Sequence, residues 1–216
     1  MDKCTQLYFL FGDELKKSEE FHNYCSDDGK SLYEVIRVSD GIPIFFMEHL
    51  SRLENSAKIM KYNLTITKNE IIDGVIKLIS KNKVENGNLK LVINYNPDGE
   101  NLYKDGVNEK FLVYFVEHSY PLKEQYAEGV KTITYHGERS NPNAKVINNE
   151  FRKNVNLKIN SKKVYEAILI DDDGYITEGS KSNIFMVKGS TVVTSRVINV
   201  LPGITRQFII KTCEKL

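Results

Sequence analysis

The chain has 216 residues, 41% hydrophobic and 27% charged, a composition typical of a globular protein that can bury one core or two small ones. Its formal net charge is +1 and its lysines are dispersed, so charge gives no reason to expect a nucleic acid or a membrane surface as partner. The three cysteines lack CxxC spacing, which argues against a disulfide framework or zinc site, and with no signal-like or membrane-spanning run we expect a cytoplasmic protein.

Residues 1–118 read as one small α/β domain. Apolar alternation predicts a hairpin in which residues 31–38 and 42–46 are joined at Asp40-Gly41, a dipeptide typical of tight turns. TKNE, which begins at Thr67, matches the capping box that starts a helix. The other predicted elements are a strand at 7–15, an amphipathic helix at 47–62 and strands at 89–95 and 111–118.

Residues 119–127 interrupt this periodicity and contain a proline, so we predict an interdomain linker there. The following domain, 128–216, is predicted to be mostly β with one long helix. Its predicted elements are strands at 130–136, 165–171, 183–187 and 191–194, a helix at 147–162 and a last helix that starts near Thr205.

Four functional groups in this frame suggest a cofactor. Lys145 follows the loop SNPNA, Glu178 follows the turn DDDG, Arg52 lies on the amphipathic helix, and Gly203 to Thr205 start the last helix. Alone, each has an ordinary structural interpretation; Lys145 would be a solvated lysine at a helix start. Together they are an amine, a carboxylate, a guanidinium and an anion-binding helix end, the groups that pyridoxal phosphate requires. The amine forms a Schiff base and moves protons, while the carboxylate keeps the pyridine nitrogen protonated.

The sequence also resembles a family, the class IV pyridoxal-phosphate aminotransferases, which includes branched-chain and D-amino acid aminotransferases and aminodeoxychorismate lyase. The segments that carry the resemblance are YEVIRVSDGIPIFFMEHLSRLENSAKIM, AKVINNE, YEAILIDDDGYITEGSKSNIF and LPGITR, in that order. It implies an α/β (α+β) fold of two domains, a small α/β domain and a larger one built on a β-barrel, with the cofactor in the cleft between them and a homodimer as the assembly. Because the family's chains normally continue well past LPGITR, we expect the larger domain to be incomplete at Leu216.

The resemblance also implies a role for individual residues. Lys145 corresponds to the Schiff-base lysine and Glu178 to the glutamate that faces the pyridine nitrogen. Tyr33 matches an aromatic residue beside the substrate, often in the partner subunit's site. The remaining implied cofactor contacts are Leu201 against the ring and, at the phosphate, Arg52, Ile204 and Thr205.

Substrate recognition stays open at this point. Relatives that bind a substrate carboxylate through arginine tend to carry it in the segment that reads VINYNPDGEN here, which makes Tyr95 the candidate contact. Arg37 lies either on the solvent face of the hairpin or beside the substrate carboxylate. We predict no metal, since His49 and His118 lack ligand spacing and the DDDG aspartates form a turn. The predicted reaction is amino transfer between an amino acid and a 2-oxo acid; the alternatives are pyruvate-releasing lyase chemistry and an inactive homologue without cofactor.

Overall fold

The computed structural model describes residues 3–25, 30–95, 109–118 and 120–215. Its contacts divide the chain into two compact units. Unit 1 comprises Met1–Ser119 and Lys145–Ile147, and unit 2 comprises Tyr120–Ala144 and Asn148–Leu216. The chain therefore leaves unit 2 for a short segment that contains the predicted Schiff-base lysine.

Unit 1 is an antiparallel sheet with two helices against one face. Its elements are β1 (Tyr8–Phe11), β2 (Glu14–Lys17), β3 (Lys30–Ser39), β4 (Ile42–Pro43), α1 (Phe46–Ile59), α2 (Lys68–Asn82), β5 (Gly87–Tyr95) and β6 (Glu109–Val116). The six strands lie in the order β2-β1-β6-β5-β3-β4. A short 3-10 helix, Ser18–Asn23, packs against β1 and β2. The predicted loop between β5 and β6 lies outside the described residues.

Strand β3 presents different side chains to the two faces of this sheet. Leu32 and Ile36 pack in the core that α1 and α2 cover, whereas Tyr33 packs with Val92 in a second cluster. Because side chains alternate along a strand, Glu34 faces the helices while Tyr33 lies on the opposite face. This alternation decides which site residues meet in unit 1.

Local turn and cap predictions in unit 1 are confirmed. Asp40 and Gly41 have φ values of 51° and 74°, as a two-residue hairpin turn requires. Thr67 and Glu70 form the predicted capping box of α2. The hairpin's second strand is shorter than predicted, because Phe45 adopts a left-handed φ of 53° and α1 begins directly after it.

Unit 2 combines helices with two small sheets in its described part. Its elements are α3 (Lys123–Glu128), β7 (Thr132–His136), α4 (Asn149–Lys162), β8 (Glu166–Ile170), β9 (Ile176–Gly179), β10 (Phe185–Lys188), β11 (Thr191–Thr194) and α5 (Ile204–Cys213). β7 pairs with β8 in parallel, β9 pairs with β8 antiparallel, and β10 and β11 form a separate hairpin. Helix α4 connects the parallel pair and packs Val155 and Ile159 with Ala167 of β8.

Two elements of unit 2 differ from expectation. Helix α3 occupies part of the predicted linker, whose role as a linker stays a prediction. Strand β9 was not predicted because its sequence, ITEG, is polar and ends in glycine. It is nevertheless the strand that carries Glu178.

Within the ranges that the structure describes, no helix has the length and apolarity that crossing a membrane demands.

Candidate functional site

The backbone of Lys145 is fixed at the edge of the unit 1 sheet. Its carbonyl accepts the N–H of Tyr33 at 3.1 Å, and the N–H of Ile147 donates to Ser31 at 2.9 Å, so this segment bridges to β3. On its other side, the N–H of Lys145 donates to Ser56 Oγ at 3.0 Å, and that buried hydroxyl donates to the carbonyl of Arg52. Lys145 is therefore held by both β3 and α1.

The side chain of Lys145 lies over an aromatic ring. Its Nζ is 4.5 Å from the centroid of Tyr33, and Lys90 Nζ lies 5.4 Å from the same centroid. Ammonium groups at such distances interact favourably with the electrons of the ring. The structure thus places two of the predicted site residues, Lys145 and Tyr33, in direct contact.

Arg52 forms a buried cluster with Glu34 and His49. Arg52 Nε donates to Glu34 Oε1 at 2.9 Å, its Nη2 donates to Oε2, and His49 Nδ1 lies 2.7 Å from Oε2. This two-pronged contact fixes the plane of the guanidinium. Burial by itself raises the pKa of Glu34, but hydrogen bonds from Arg52 and His49 and the positive charges of Arg52 and Lys145 outweigh it and lower that pKa.

Sequence reasoning missed Glu34. The signal that could have found it is the alternation in YEVIRV, which puts a carboxylate on the helix-facing side of β3 among Leu32 and Ile36. A charged residue at such a position requires partners of opposite charge. Arg52 supplies that charge, and His49 adds a hydrogen bond to the same carboxylate.

Glu178 is the centre of the unit 2 site. It is 3% exposed, and its Oε2 accepts the backbone N–H of Leu201 at 3.0 Å. Arg139 Nε lies 3.0 Å from Oε1 and forms an ion pair with it, although its N–H is not aligned for a hydrogen bond. Both residues line a cavity of about 350 Å³ in unit 2. Arg139 was missed because its loop, ERSNPNAK, has no periodicity that would orient it.

The start of α5 provides anion-binding groups. Ile204 and Thr205 are its first two residues, and N–H groups in the first turn of a helix have no partner within the helix. A Cβ at Gly203 would lie 2.1 Å from Asn183 Oδ1, so any larger residue there would force the Asn183 side chain to shift. A buried carboxylate beside a glycine turn with outward N–H groups fits the ring nitrogen and phosphate of pyridoxal phosphate.

The remaining predicted substrate residues lie in unit 1. Arg37 is exposed, on the same face of β3 as Tyr33. Tyr95 is fully buried and stacks on Tyr62 with ring centroids 4.0 Å apart, and burial raises the pKa of its hydroxyl. Its burial gives no support to a substrate contact, which stays a prediction.

In the described ranges no group of three His, Cys, Asp or Glu side chains could hold a metal.

Comparison with known proteins identifies the family. The family Amino-transferase class IV matches residues 31–216. The chain belongs to the class IV aminotransferase family. Class IV relatives include a putative branched-chain-amino-acid aminotransferase of Methanocaldococcus jannaschii, 30% identical over 96% of this chain and 73% of the relative. D-alanine aminotransferase of Bacillus licheniformis is 31% identical, and aminodeoxychorismate lyase of Bacillus subtilis is 26% identical; for both, 87% of this chain matches 66% of the relative.

Solved class IV structures have the same fold. The Escherichia coli branched-chain amino acid aminotransferase gives a TM-score of 0.82 at 23% identity, over 98% of this chain and 75% of the other. The T.th. branched-chain amino acid aminotransferase with pyridoxamine 5′-phosphate gives 0.81 at 21% identity, over 99% and 75%. The predicted family, the mixed α/β fold and the pyridoxal-phosphate class of enzyme are therefore confirmed.

Proposed function

We propose that the chain is a pyridoxal-phosphate-dependent aminotransferase that moves an amino group between an amino acid and a 2-oxo acid. The observation that carries this proposal is the buried Glu178 carboxylate, paired with Arg139 and bonded to the N–H of Leu201. A carboxylate paired with a guanidinium and held by a backbone N–H is suited to face a protonated pyridine nitrogen. Membership of the class IV family supplies the reaction type.

Each proposed residue has a physical role. Bound pyridoxal phosphate supplies an aldehyde that takes up amines and a protonated ring that accepts electrons from Cα. Lys145 provides the amine that holds the aldehyde and later moves a proton, and its fixed backbone restricts where that amine can reach. Tyr33 orients the amine through its ring face. The groups that would hold the phosphate are the N–H groups of Ile204 and Thr205 at the start of α5 and the guanidinium of Arg52.

Glu34 and Arg139 support these residues. Glu34 holds Arg52 in one plane and balances its charge, so that the guanidinium is presented in a fixed direction. Arg139 places its guanidinium against the Glu178 carboxylate, with Nε 3.0 Å from Oε1, and so fixes where that carboxylate lies. We assign both as positioning residues.

We also propose that units 1 and 2 correspond to the family's two domains, and that the protein is a homodimer in the cytoplasm. The family resemblance supports the homodimer. Within the described residues Cys4, Cys25 and Cys213 form no disulfide, which suits a reducing compartment.

The test combines cofactor trapping with an activity assay. After addition of pyridoxal phosphate and reduction with borohydride, mass spectrometry should locate the adduct on Lys145. Lys145→Ala should lose the adduct, whereas Lys153→Ala, at an exposed position on α4, should keep it. An adduct on another lysine would contradict the assignment.

An amino donor with 2-oxoglutarate should then yield glutamate. Pyruvate release without a keto-acid acceptor would instead indicate the lyase reaction, which the similarity to the Bacillus subtilis lyase keeps as the second candidate. Absence of any adduct would favour an inactive homologue.

A further inference from the structure

Asn183 contacts two groups that the proposed function assigns to different parts of the cofactor. Its Nδ2 donates to the carbonyl of Leu201 at 3.0 Å and makes a longer contact of 3.4 Å with Glu178 Oε2. The same Glu178 oxygen accepts the N–H of Leu201 at 3.0 Å. Asn183, Glu178 and Leu201 therefore form a closed triangle of contacts between the ring-nitrogen carboxylate and the turn that precedes α5.

The chemistry of this triangle requires an amide. Both neighbours of Nδ2 are acceptors, so the nitrogen must face them and Oδ1 must lie on the other side. That oxygen occupies the space that a Cβ on Gly203 would need. Asparagine and glycine at these two positions thus depend on each other sterically. An aspartate at position 183 would have the same shape but would place a second carboxylate against Glu178.

The loop that carries Asn183 is itself fixed, by Glu166 on β8. The N–H of Lys181 donates to Glu166 Oε1 at 2.5 Å, and the hydroxyl of Ser182 donates to Oε2 at 2.9 Å. Within the loop, the N–H of Gly179 donates to the carbonyl of Ser182 at 2.8 Å. The small polar residues after Glu178 therefore wrap around one carboxylate, and this holds Asn183 in place.

We infer that Asn183 is a positioning residue that couples Glu178 to the Leu201–Gly203 turn, so that the groups for the ring nitrogen and for the phosphate move as one body. This inference rests on the proposed function. If the turn shifts, the bond from the Leu201 N–H to Glu178 is lost unless Asn183 holds the Leu201 carbonyl. The coupling makes correct placement of the phosphate dependent on Asn183, which acts through Glu178 and Leu201.

The experiment compares pyridoxal phosphate with pyridoxal, which lacks the phosphate, in fluorescence titrations of the full chain. In the wild type, the dissociation constant of pyridoxal divided by that of pyridoxal phosphate measures how much the phosphate strengthens binding. Asn183→Ala should reduce this ratio about tenfold, because the phosphate turn is no longer aligned with Glu178. Asn183→Asp should weaken pyridoxal phosphate binding further than Asn183→Ala does, because like charges then face each other.

Asn143 provides a matched control. Its Nδ2 donates to the carbonyls of Val197 and Val200 at 2.6 and 2.8 Å, so it restrains the chain just before Leu201 without contacting Glu178. Asn143→Ala should leave the ratio unchanged. In cofactor-free protein, amide exchange of the peptide containing Leu201 should accelerate in Asn183→Ala, while exchange in β8 should stay slow and so show an intact fold.

The outcomes separate the two claims. If the wild type binds neither ligand, the proposed function is wrong and this inference with it. If the wild type binds pyridoxal phosphate but Asn183→Ala keeps the wild-type ratio, the coupling alone is wrong. Equal losses in the Asn143 and Asn183 variants would likewise overturn it, since general loosening of the segment would then explain the effect.

Discussion

Glu34→Gln removes a charge from a buried cluster with almost no change in side-chain size. Glu34 is 0% exposed and receives hydrogen bonds from Arg52 at 2.9 Å and His49 at 2.7 Å. Removing one member of a buried ion pair leaves the other charge uncompensated and costs about 3–5 kcal/mol. Glutamine keeps one acceptor oxygen, so we expect unit 1 to lose about 3 kcal/mol of its free energy of unfolding, the lower end of that range.

The pH dependence of this loss has a definite sign. The folded-state pKa of Glu34 is lowered, mainly because the bonds from Arg52 and His49 outweigh the effect of burial. The contribution of Glu34 is therefore present above its unfolded-state pKa of about 4.3 and is lost as the pH falls through the folded-state pKa. The difference between wild type and variant should shrink over that acid range.

Glu54→Gln on α1, the helix that carries Arg52, is the matched control. Glu54 pairs with Lys68 at 2.9 Å, but their side chains are 38% and 41% exposed, and such pairs contribute about 0–1 kcal/mol. Amide exchange measured by mass spectrometry in increasing urea gives the stability of β3 and α1 for each variant. Equal destabilisation by the two variants, or a Glu34 effect that persists unchanged in acid, would show that the cluster does not hold a buried charge.

Two further measurements test other parts of the structure. Ser56→Ala leaves the part-buried N–H of Lys145 without its acceptor Oγ at 3.0 Å, so opening of the segment Lys145–Ile147 should become easier by about 1 kcal/mol. Ser51→Ala, at an exposed position of the same helix, should have no effect. Exchange of the peptide containing Lys145 measures this difference, and equal exchange in both variants would contradict it. Burial raises the pKa of the Cys4 thiol despite hydrogen bonds with backbone groups, whereas Cys213 is exposed. Iodoacetamide should therefore modify Cys213 first at neutral pH, because the thiolate is the reactive form. Peptide mass spectrometry measures the order of modification, and faster modification of Cys4 would contradict its burial.

Local signals in the sequence predicted most of the elements. The Asp40-Gly41 turn and the Thr67 capping box depend on interactions within a few residues, and both occur as predicted. Helix α4 begins within two residues of its predicted start, at Asn149, and Asn148 caps it. Motif order predicted the family, since each motif keeps its place along the chain.

The contacts that define the site could not be predicted in this way, because they join distant segments. Nothing near Arg52 in sequence identifies Glu34 as its partner, and the pairing follows only from the packing of α1 on β3. The same holds for Arg139 with Glu178. For Tyr95 the family resemblance suggested a substrate contact, which stays a prediction, whereas its stacking on Tyr62 in the core follows only from the packing of distant segments.

The bridge between Leu32 and Val146 also affects how the protein can be synthesised. Val146 emerges from the ribosome long after β3, so the part of β3 that it covers stays an open strand edge during much of translation. Exposed edges invite pairing with other chains. A nascent chain that has not reached residue 147 should therefore depend on chaperones. This dependence should end when the segment that contains Lys145 has been synthesised and pairs with β3.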